Sequence, residues 1–528
     1  MRKIIGLIII IITTFLILAS LLNKDFLPEE KIGNQNKVLE EKKQSIIVLK
    51  DGDSFVLTAE IINKKINNQS YVMYGYNGQI PGPILKVQQN STITIIFKNT
   101  INLNTTIHWH GLRQDVKNDG VPEISQNPVA PGQTFVYTLH FPDEGIYWYH
   151  PHIREDIQQD NGLYGNMLVD SLHSNYYNYV NQEELLVLDD LLIRDDKIVS
   201  YGKNYADHVT MGRFGNVMLL NGKTDYSLHV DNGSVVRFFI TNAANVRPFN
   251  LSFSGAKMKL VGSDIGLYEH EEYVASIIIA PAERYILEVI FDHEGEYTIQ
   301  NINPDNTYDL GTIIVSSQQV EQEYSSDFNN LRINSFIIED INTFRSYFDK
   351  KPDYILDLGI NMPMELMQHM DMNDMPCHTM PDGTKMGKCD VEGHKEKIEW
   401  EDDMEKMNSV STSEKVTWEI KERETGKKNM DFIMNAKVGD KLKIRLFNDP
   451  DSMHPMQHPI HLHGQRFLVL EKDGVKNDNL VWKDTVLVPQ GSTVDILVDV
   501  TNPGQWMMHC HIAEHLEAGM MTSLIVGR

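Results

Sequence analysis

Four histidine groups stand out by spacing. They are His108-Trp109-His110-Gly111, His150-Pro151-His152, His458-Pro459-Ile460-His461-Leu462-His463, and His509-Cys510-His511-Ile512-Ala513-Glu514-His515, with Met520 ten residues beyond the cysteine. On an extended strand, side chains i and i+2 point to the same face. Each His-x-His pair therefore presents two imidazoles in one direction. The pairs His108/His110, His150/His152, His461/His463 and His509/His511 supply eight. Imidazole is a good copper ligand, and eight converging rings suit several ions. A single such pair is commonplace on a solvated or packed strand; four pairs with a Cys-x4-His-x4-Met string are not. Zinc is the chemical competitor, but its sites close at four ligands, fewer than this chain offers.

In His509-Cys510-His511 the same alternation separates roles. The two histidines face one way and Cys510 the other, toward a different ion. Adding His458, His515 and Met520 gives two imidazoles, a thiolate and a weak thioether, the donor set of a blue copper site. The covalent link from Cys510 to its flanking histidines is a short electron path between the two sites.

The segment Asn361–Met407 has another chemistry. Met362, Met364, Met367, Met370, Met372, Met375, Met380 and Met386 crowd a polar background with His369, His378, His394, Cys377 and Cys389. A core helix would set methionine among Leu and Ile; here the neighbours are Asp, Asn, Pro and Gly, so a loop or short irregular helix is expected. Thioethers and thiolates are soft and select Cu(I). A second group, Asp451, Met453, His454 and Met456, runs directly into His458. The alternative for the methionines is a flexible, oxidation-tolerant loop. Cys377 and Cys389 fit either a disulfide or Cu(I) thiolates.

The elements that must hold these residues read as strands. Short β-rich runs such as Ser91–Phe97, Thr134–Leu139, Val235–Ile240, Ile277–Ala280 and Val494–Val498 are separated by Asn77-Gly78, Pro81-Gly82-Pro83, Pro131-Gly132, Asn221-Gly222 and Pro503-Gly504. Sustained helical periodicity is scarce, so an all-β fold of sandwiches is expected. A loose phrase, an Asn-led turn then a polar turn then an apolar strand, recurs at Asn77–Ser91, Asn221–Ser234 and Asn435–Asp440 and marks three units. The polar stretch Ser316–Asn330 reads as the boundary before the third.

The 528 residues are too many for one ordinary domain, and 41% apolar content supports a sizeable core. A formal net charge of −25 argues against nucleic acid and suits cationic partners. Arg2 and Lys3 precede an apolar run, residues 4–22, which reads as a signal peptide or an uncleaved membrane tether, with a polar linker over 23–44. Either places the body outside the cytoplasm, in the periplasm or at the cell surface.

These four motifs, with Asn77–Pro83 (NGQIPGP), resemble the multicopper oxidases, a family that includes laccases, bacterial cuprous oxidases and copper-resistance oxidases. The resemblance covers nearly all of residues 45–528. It implies three cupredoxin-like Greek-key β-sandwich domains, set at 45–172, 173–318 and 331–528, and four coppers. Type 1 copper would be held by His458, Cys510 and His515 with Met520 axial. Type 2 copper would be held by His108 and His461. The type 3 pair would use His110, His150 and His511 on one ion and His152, His463 and His509 on the other. That trinuclear group would lie between the first and third domains, and the scattered His229, His270 and His293 of the second would be structural.

The resemblance also implies that Cys510, His509 and His511 carry electrons and that Asp119, nine residues after His110, serves dioxygen and proton handling; a plain turn at Asp119-Gly120 is the alternative. Many bacterial relatives carry Glu directly after the last type 1 histidine, where this chain has Leu516; Glu514 and Glu517 are near but not equivalent. Similar cuprous oxidases place a methionine-rich insert over type 1 copper, and Met456 matches one of their substrate-metal methionines. The expected reaction is oxidation of a one-electron donor, Cu(I) foremost, coupled to reduction of dioxygen to water by a monomer. Oxidation of phenols, Fe(II) or Mn(II), and non-catalytic copper storage or delivery, are the alternatives.

Overall fold

A computed structural model describes residues 38–363, 366, 378–379, 385–386 and 397–528. The N-terminal apolar run, Met364, Met367, Met370, Met372, Met375, Met380, Cys377 and Cys389 lie outside the described residues. No described helix is long and apolar enough to cross a membrane.

Alternation dictates the strands. In Thr92–Asn99 the apolar Ile93, Ile95 and Phe97 turn inward while their neighbours stay partly exposed. The five runs named from sequence are strands at Thr92–Asn99, Thr134–His140, Ser234–Asn242, Ile277–Ile279 and Thr493–Asp499. The Asn-Gly pairs adopt the left-handed backbone that such turns need, with φ of 53° and 76° at Asn77-Gly78 and 51° and 69° at Asn221-Gly222.

The strands form three two-sheet sandwiches. In the first, β1 (Ile84–Gln88), β2 (His108–His110), β3 (Gly145–His150) and β4 (Gly165–Asp170) build a sheet ordered Ile46–Leu49, β1, β4, β3, β2. Its partner sheet holds Ser54–Ile66, Thr92–Asn99 and Thr134–His140. Leu39–Glu40 pairs in parallel with Ile62 and Asn63 of that sheet, so part of the stretch read as linker is a strand. The second sandwich contains β5 (Arg284–Phe291) at the centre of a six-stranded sheet. Its strand Thr307–Gln319 runs on into the polar stretch, which then folds into the short helix Ser325–Asn329.

In the third sandwich, β6 (Thr417–Glu422) edges a seven-stranded sheet. The opposing sheet contains β7 (His458–Leu462), β8 (Thr485–Val488), β9 (Gly504–Cys510) and β10 (Met521–Gly527) in the order β10, β9, β7, β8. The histidine-bearing strands thus occupy one sheet of the first sandwich and one of the third. The cores are continuous between sandwiches: Phe239, Ile265 and Ile286 of the second join a cluster with Trp109 of the first and Trp482 of the third.

Candidate metal centres

Register brings the histidines together. In β2 and β3, His108 pairs with His150 and His110 with Trp148; in β7 and β9, His461 pairs with His509 and Ile460 with Cys510. His463 and His511 follow directly after their strands, and His152 follows β3 after Pro151. All eight rings of the His-x-His pairs are buried. Donor atoms of His108, His461 and His463, of His108, His110 and His150, and of His152, His463 and His509 lie within 4.8 Å of one another. The ring centres of His150 and His110 lie 5.0 and 5.1 Å from that of His511.

Hydrogen bonds fix which nitrogen is free on His108, His110, His150, His461, His463 and His509. A carbonyl oxygen only accepts, so a ring nitrogen facing one carries the proton. The Nδ1–H groups of His108, His150, His461 and His509 donate to the carbonyls of Asp119, Pro151, Asp484 and Cys510, each at 2.8 Å. His463 Nδ1–H donates to Asp119 Oδ2 at 2.9 Å. His110 is turned the other way, with Nε2–H donating to Asp484 Oδ1 at 3.0 Å. The remaining nitrogens, His108 Nε2, His110 Nδ1, His150 Nε2 and His461 Nε2, are buried lone pairs without a protein partner. His463 Nε2 and His509 Nε2 face each other at 3.0 Å although both rings are protonated at Nδ1, and two such lone pairs repel unless a cation lies between them. The donor set therefore fits copper ions.

Burial, then the neighbouring imidazoles, hold His110, His150, His152, His463, His509 and His511 far below the usual histidine range and keep them neutral. A neutral ring is the ligand form.

Cys510 points to the opposite side of β9, as alternation requires. Its Sγ lies 3.6 Å from His458 Nδ1 and 3.7 Å from His515 Nδ1, all three fully buried. Helix α1 (Glu155–Gln158) follows His152, and α2 (Ala513–Glu517) carries His515. Met520 is buried in the same cluster, and its carbonyl accepts from the Cys510 N–H at 3.1 Å. Burial pushes His458 down to about 3 and the Cys510 thiol up. Trp418 of β6 stacks on His515 with ring centres 4.0 Å apart, and its indole N–H donates to the Val209 carbonyl.

Asp119 stands behind the imidazoles, its carbonyl bonded to His108 and its carboxylate to His463. Met362 and Met456 are buried in the core that contains Cys510, and Met453 packs against it. Met386 ends a two-residue strand. His229, His270 and His293 belong to none of the histidine groups named above.

Asp484, Arg284, Glu155, Met211 and Trp418 escaped sequence reading. Asp484 accepts from His110 and is gripped by Arg284; burial pushes its carboxyl up, but Arg284 and His110 hold it well below the usual range. Glu155 Oε1 lies 3.3 Å from His152 Nδ1, and burial pushes this carboxyl well up, as it does Glu514. Met211 Sδ lies 3.1 Å from His454 Nε2. Only Asp484 left a trace, as the Lys483-Asp484 charge pair inside the apolar run Val481–Val488.

Family comparison agrees with this geometry. Models described as multicopper oxidase match residues 59–174, 176–319 and 400–528. The multicopper oxidase of Staphylococcus aureus is 27% identical over 460 residues, covering 86% of this chain and 83% of that protein. Copper resistance protein A of Escherichia coli is 26% identical, covering 85% and 88%. The solved multicopper oxidase of Campylobacter jejuni, described as a metallo-oxidase, superposes with a TM-score of 0.67 at 24% identity, covering 94% of this chain and 96% of that one. With matches along all three sandwiches and the histidine strands of the first and third facing one another, the chain belongs to the multicopper oxidase family and is an oxidoreductase.

Proposed function

We propose that this protein holds four coppers and oxidises Cu(I) at the expense of dioxygen, in copper tolerance outside the cytoplasm. His458, Cys510 and His515, with Met520, would hold type 1 copper; His108 and His461 type 2; and the triads His110, His150, His511 and His152, His463, His509 the type 3 pair. Copper bound there supplies one-electron uptake from a donor and four-electron reduction of dioxygen to water.

The chain's own part is to orient and to exclude water. The carbonyls of Asp119, Pro151, Asp484 and Cys510 aim imidazole lone pairs inward. The Cys510 main chain joins the thiol to His509 and His511 without a break. Glu155, wholly buried, places Oε1 where it can hold a proton beside His152.

The observation that carries the Cu(I) reading is the methionine content of the core that contains Cys510. Met211, Met362, Met404, Met407 and Met456 are buried in one core with Cys510, and Met453 packs against it. Thioethers favour Cu(I) over harder cations. His458 and His515 are each 0% exposed, which keeps a bulky phenol from touching either ring. Steady-state oxygen uptake with Cu(I), Fe(II) and a phenol tests this on the loaded protein and on a variant lacking residues 361–386. The variant is expected to lose Cu(I) turnover by about tenfold, ~1.4 kcal/mol of barrier, while phenol turnover is retained or rises as the buried rings become accessible. Equal losses on both donors contradict the Cu(I) assignment.

A further inference from the structure

The second sandwich offers no histidine cluster, yet one of its side chains reaches the trinuclear side. Arg284, the first residue of β5, is 0% exposed. Its Nε donates to the Ile146 carbonyl of the first sandwich at 3.0 Å. Its Nη1 donates to Asp484 Oδ1 of the third at 2.6 Å, and Nη2 to Asp484 Oδ2. A single guanidinium thus spans all three sandwiches, with the two-pronged geometry that arginine makes with a carboxylate.

The grip determines what Asp484 can do. Oδ2 accepts from Nη2 alone of the fork, while Oδ1 accepts from Nη1, from His110 Nε2–H at 3.0 Å and from the Thr485 hydroxyl at 2.8 Å. An ionised carboxylate only accepts, so His110 must carry its proton on Nε2 and turn Nδ1 inward. The five rings whose Nδ1 donates to a carbonyl or to Asp119 turn Nε2 inward instead. The Asp484 carbonyl meanwhile holds His461, which stacks on His110 at 3.7 Å.

The surroundings are shaped for this pair. Gly111 has φ +91°, and a Cβ there would lie 2.6 Å from Asp484 Oδ2 and 2.9 Å from Arg284 Nη2. Asp264 Oδ1 accepts from the Arg284 N–H at 2.9 Å, and Asp264 Oδ2 lies 3.3 Å from Lys483 Nζ. Stability alone is a poor reason for such a group, because apolar residues of similar volume commonly do as well as a buried ion pair.

We propose that Arg284 and Asp484 are positioning residues of the trinuclear centre. Arg284 locks the Asp484 carboxylate, Asp484 sets the tautomer and tilt of His110, and the ligand-free second sandwich is thereby part of that centre. The inference rests on His110 being a copper ligand.

The test uses the full chain and the variants Asp484→Asn, which keeps the shape, and Arg284→Lys, which keeps the charge. An asparagine cannot satisfy the guanidinium and His110 together, and a lysine lacks the fork. Each variant is titrated with copper, and total copper, the thiolate-to-copper colour and the fraction of copper visible by electron paramagnetic resonance are read together. Loss of a partner behind a metal-bound histidine costs about 10–100-fold in affinity. Asp484→Asn is expected to fall in that range for the weakest-held copper and Arg284→Lys somewhat less. Both should show a larger visible fraction, as the coupled pair is disturbed, with the Cys510 colour retained. Wild-type affinity and an unchanged visible fraction in both variants overturn the proposal. So does loss of colour and trinuclear copper in step with a lowered unfolding temperature of the copper-free variants, which marks a purely structural role. A wild-type chain that takes copper only at Cys510 overturns the assignment of His110 itself, a separate failure.

Discussion

At the residue scale, function depends on which nitrogen of each ring is free. Asp119 bears on two rings at once, through its carbonyl and its carboxylate. Asp119→Ala removes the carboxylate while leaving the carbonyl. It is expected to slow oxygen consumption by about 10–100-fold while the thiolate-to-copper colour persists, since Cys510 lies on the other face of β9. Unchanged turnover would take Asp119 out of the mechanism. Cys510→Ser is expected to abolish the colour and leave copper on the histidine cluster, read by absorption and metal content of the same sample. The buried rings also set a pH dependence. His458 is held at about 3 in the folded chain against 6.5 for an ordinary histidine, so between those values the unfolded chain binds more protons. Stability of the copper-free protein therefore falls as pH drops from about 6.5 toward 3, by up to ~1.4 kcal/mol per pH unit for each such ring. A flat unfolding temperature over that window contradicts the neutral, buried state of these histidines.

At the element scale, the strands deliver the donors, and their turns allow close approach. Gly120 has φ +82°, and a Cβ there would sit 1.9 Å from the Ile107 carbonyl oxygen. Gly120→Ala is expected to destabilise the fold by roughly 2–4 kcal/mol and to shift Asp119 with it, lowering both unfolding temperature and copper uptake. An alanine variant with native stability would mean that the turn relaxes freely. Strand alternation also explains what was legible in sequence. Period-two spacing is local, so the His-x-His pairs, the opposite facing of Cys510 and the runs such as Thr134–His140 could be read directly. Arg284 and Asp484 lie 200 residues apart, and no local pattern pairs them. Glu155 was hidden because a charged run after a motif looks like an ordinary solvated turn, whereas here it is wholly buried against His152. Trp418 reaches His515 from the facing sheet of the same sandwich and Met211 reaches His454 from the second sandwich, so no local pattern announces either.

At the scale of the whole molecule, three sandwiches share continuous apolar cores, and the histidines sit where strands of the first and third face each other. The recurrent Asn-led turns made the threefold organisation readable, while the Arg284–Asp484 contact between the second and third sandwiches left no pattern in the sequence. A net charge of −25 draws cations to the surface. The kcat/KM for a cationic donor is expected to fall as ionic strength rises and the screening length shrinks from about 30 Å at 0.01 M to about 10 Å at 0.1 M, while a neutral phenol is unaffected. Equal salt dependence for both donors would count against electrostatic capture. The central claim, that inward-facing imidazoles hold one group of coppers while Cys510 holds another across a single strand, has a direct test. Copper-free protein is titrated with copper while bound metal and visible absorption are followed together. The expected end point is four coppers per chain with an intense thiolate-to-copper band; saturation at one metal, or full loading without that band, would contradict it.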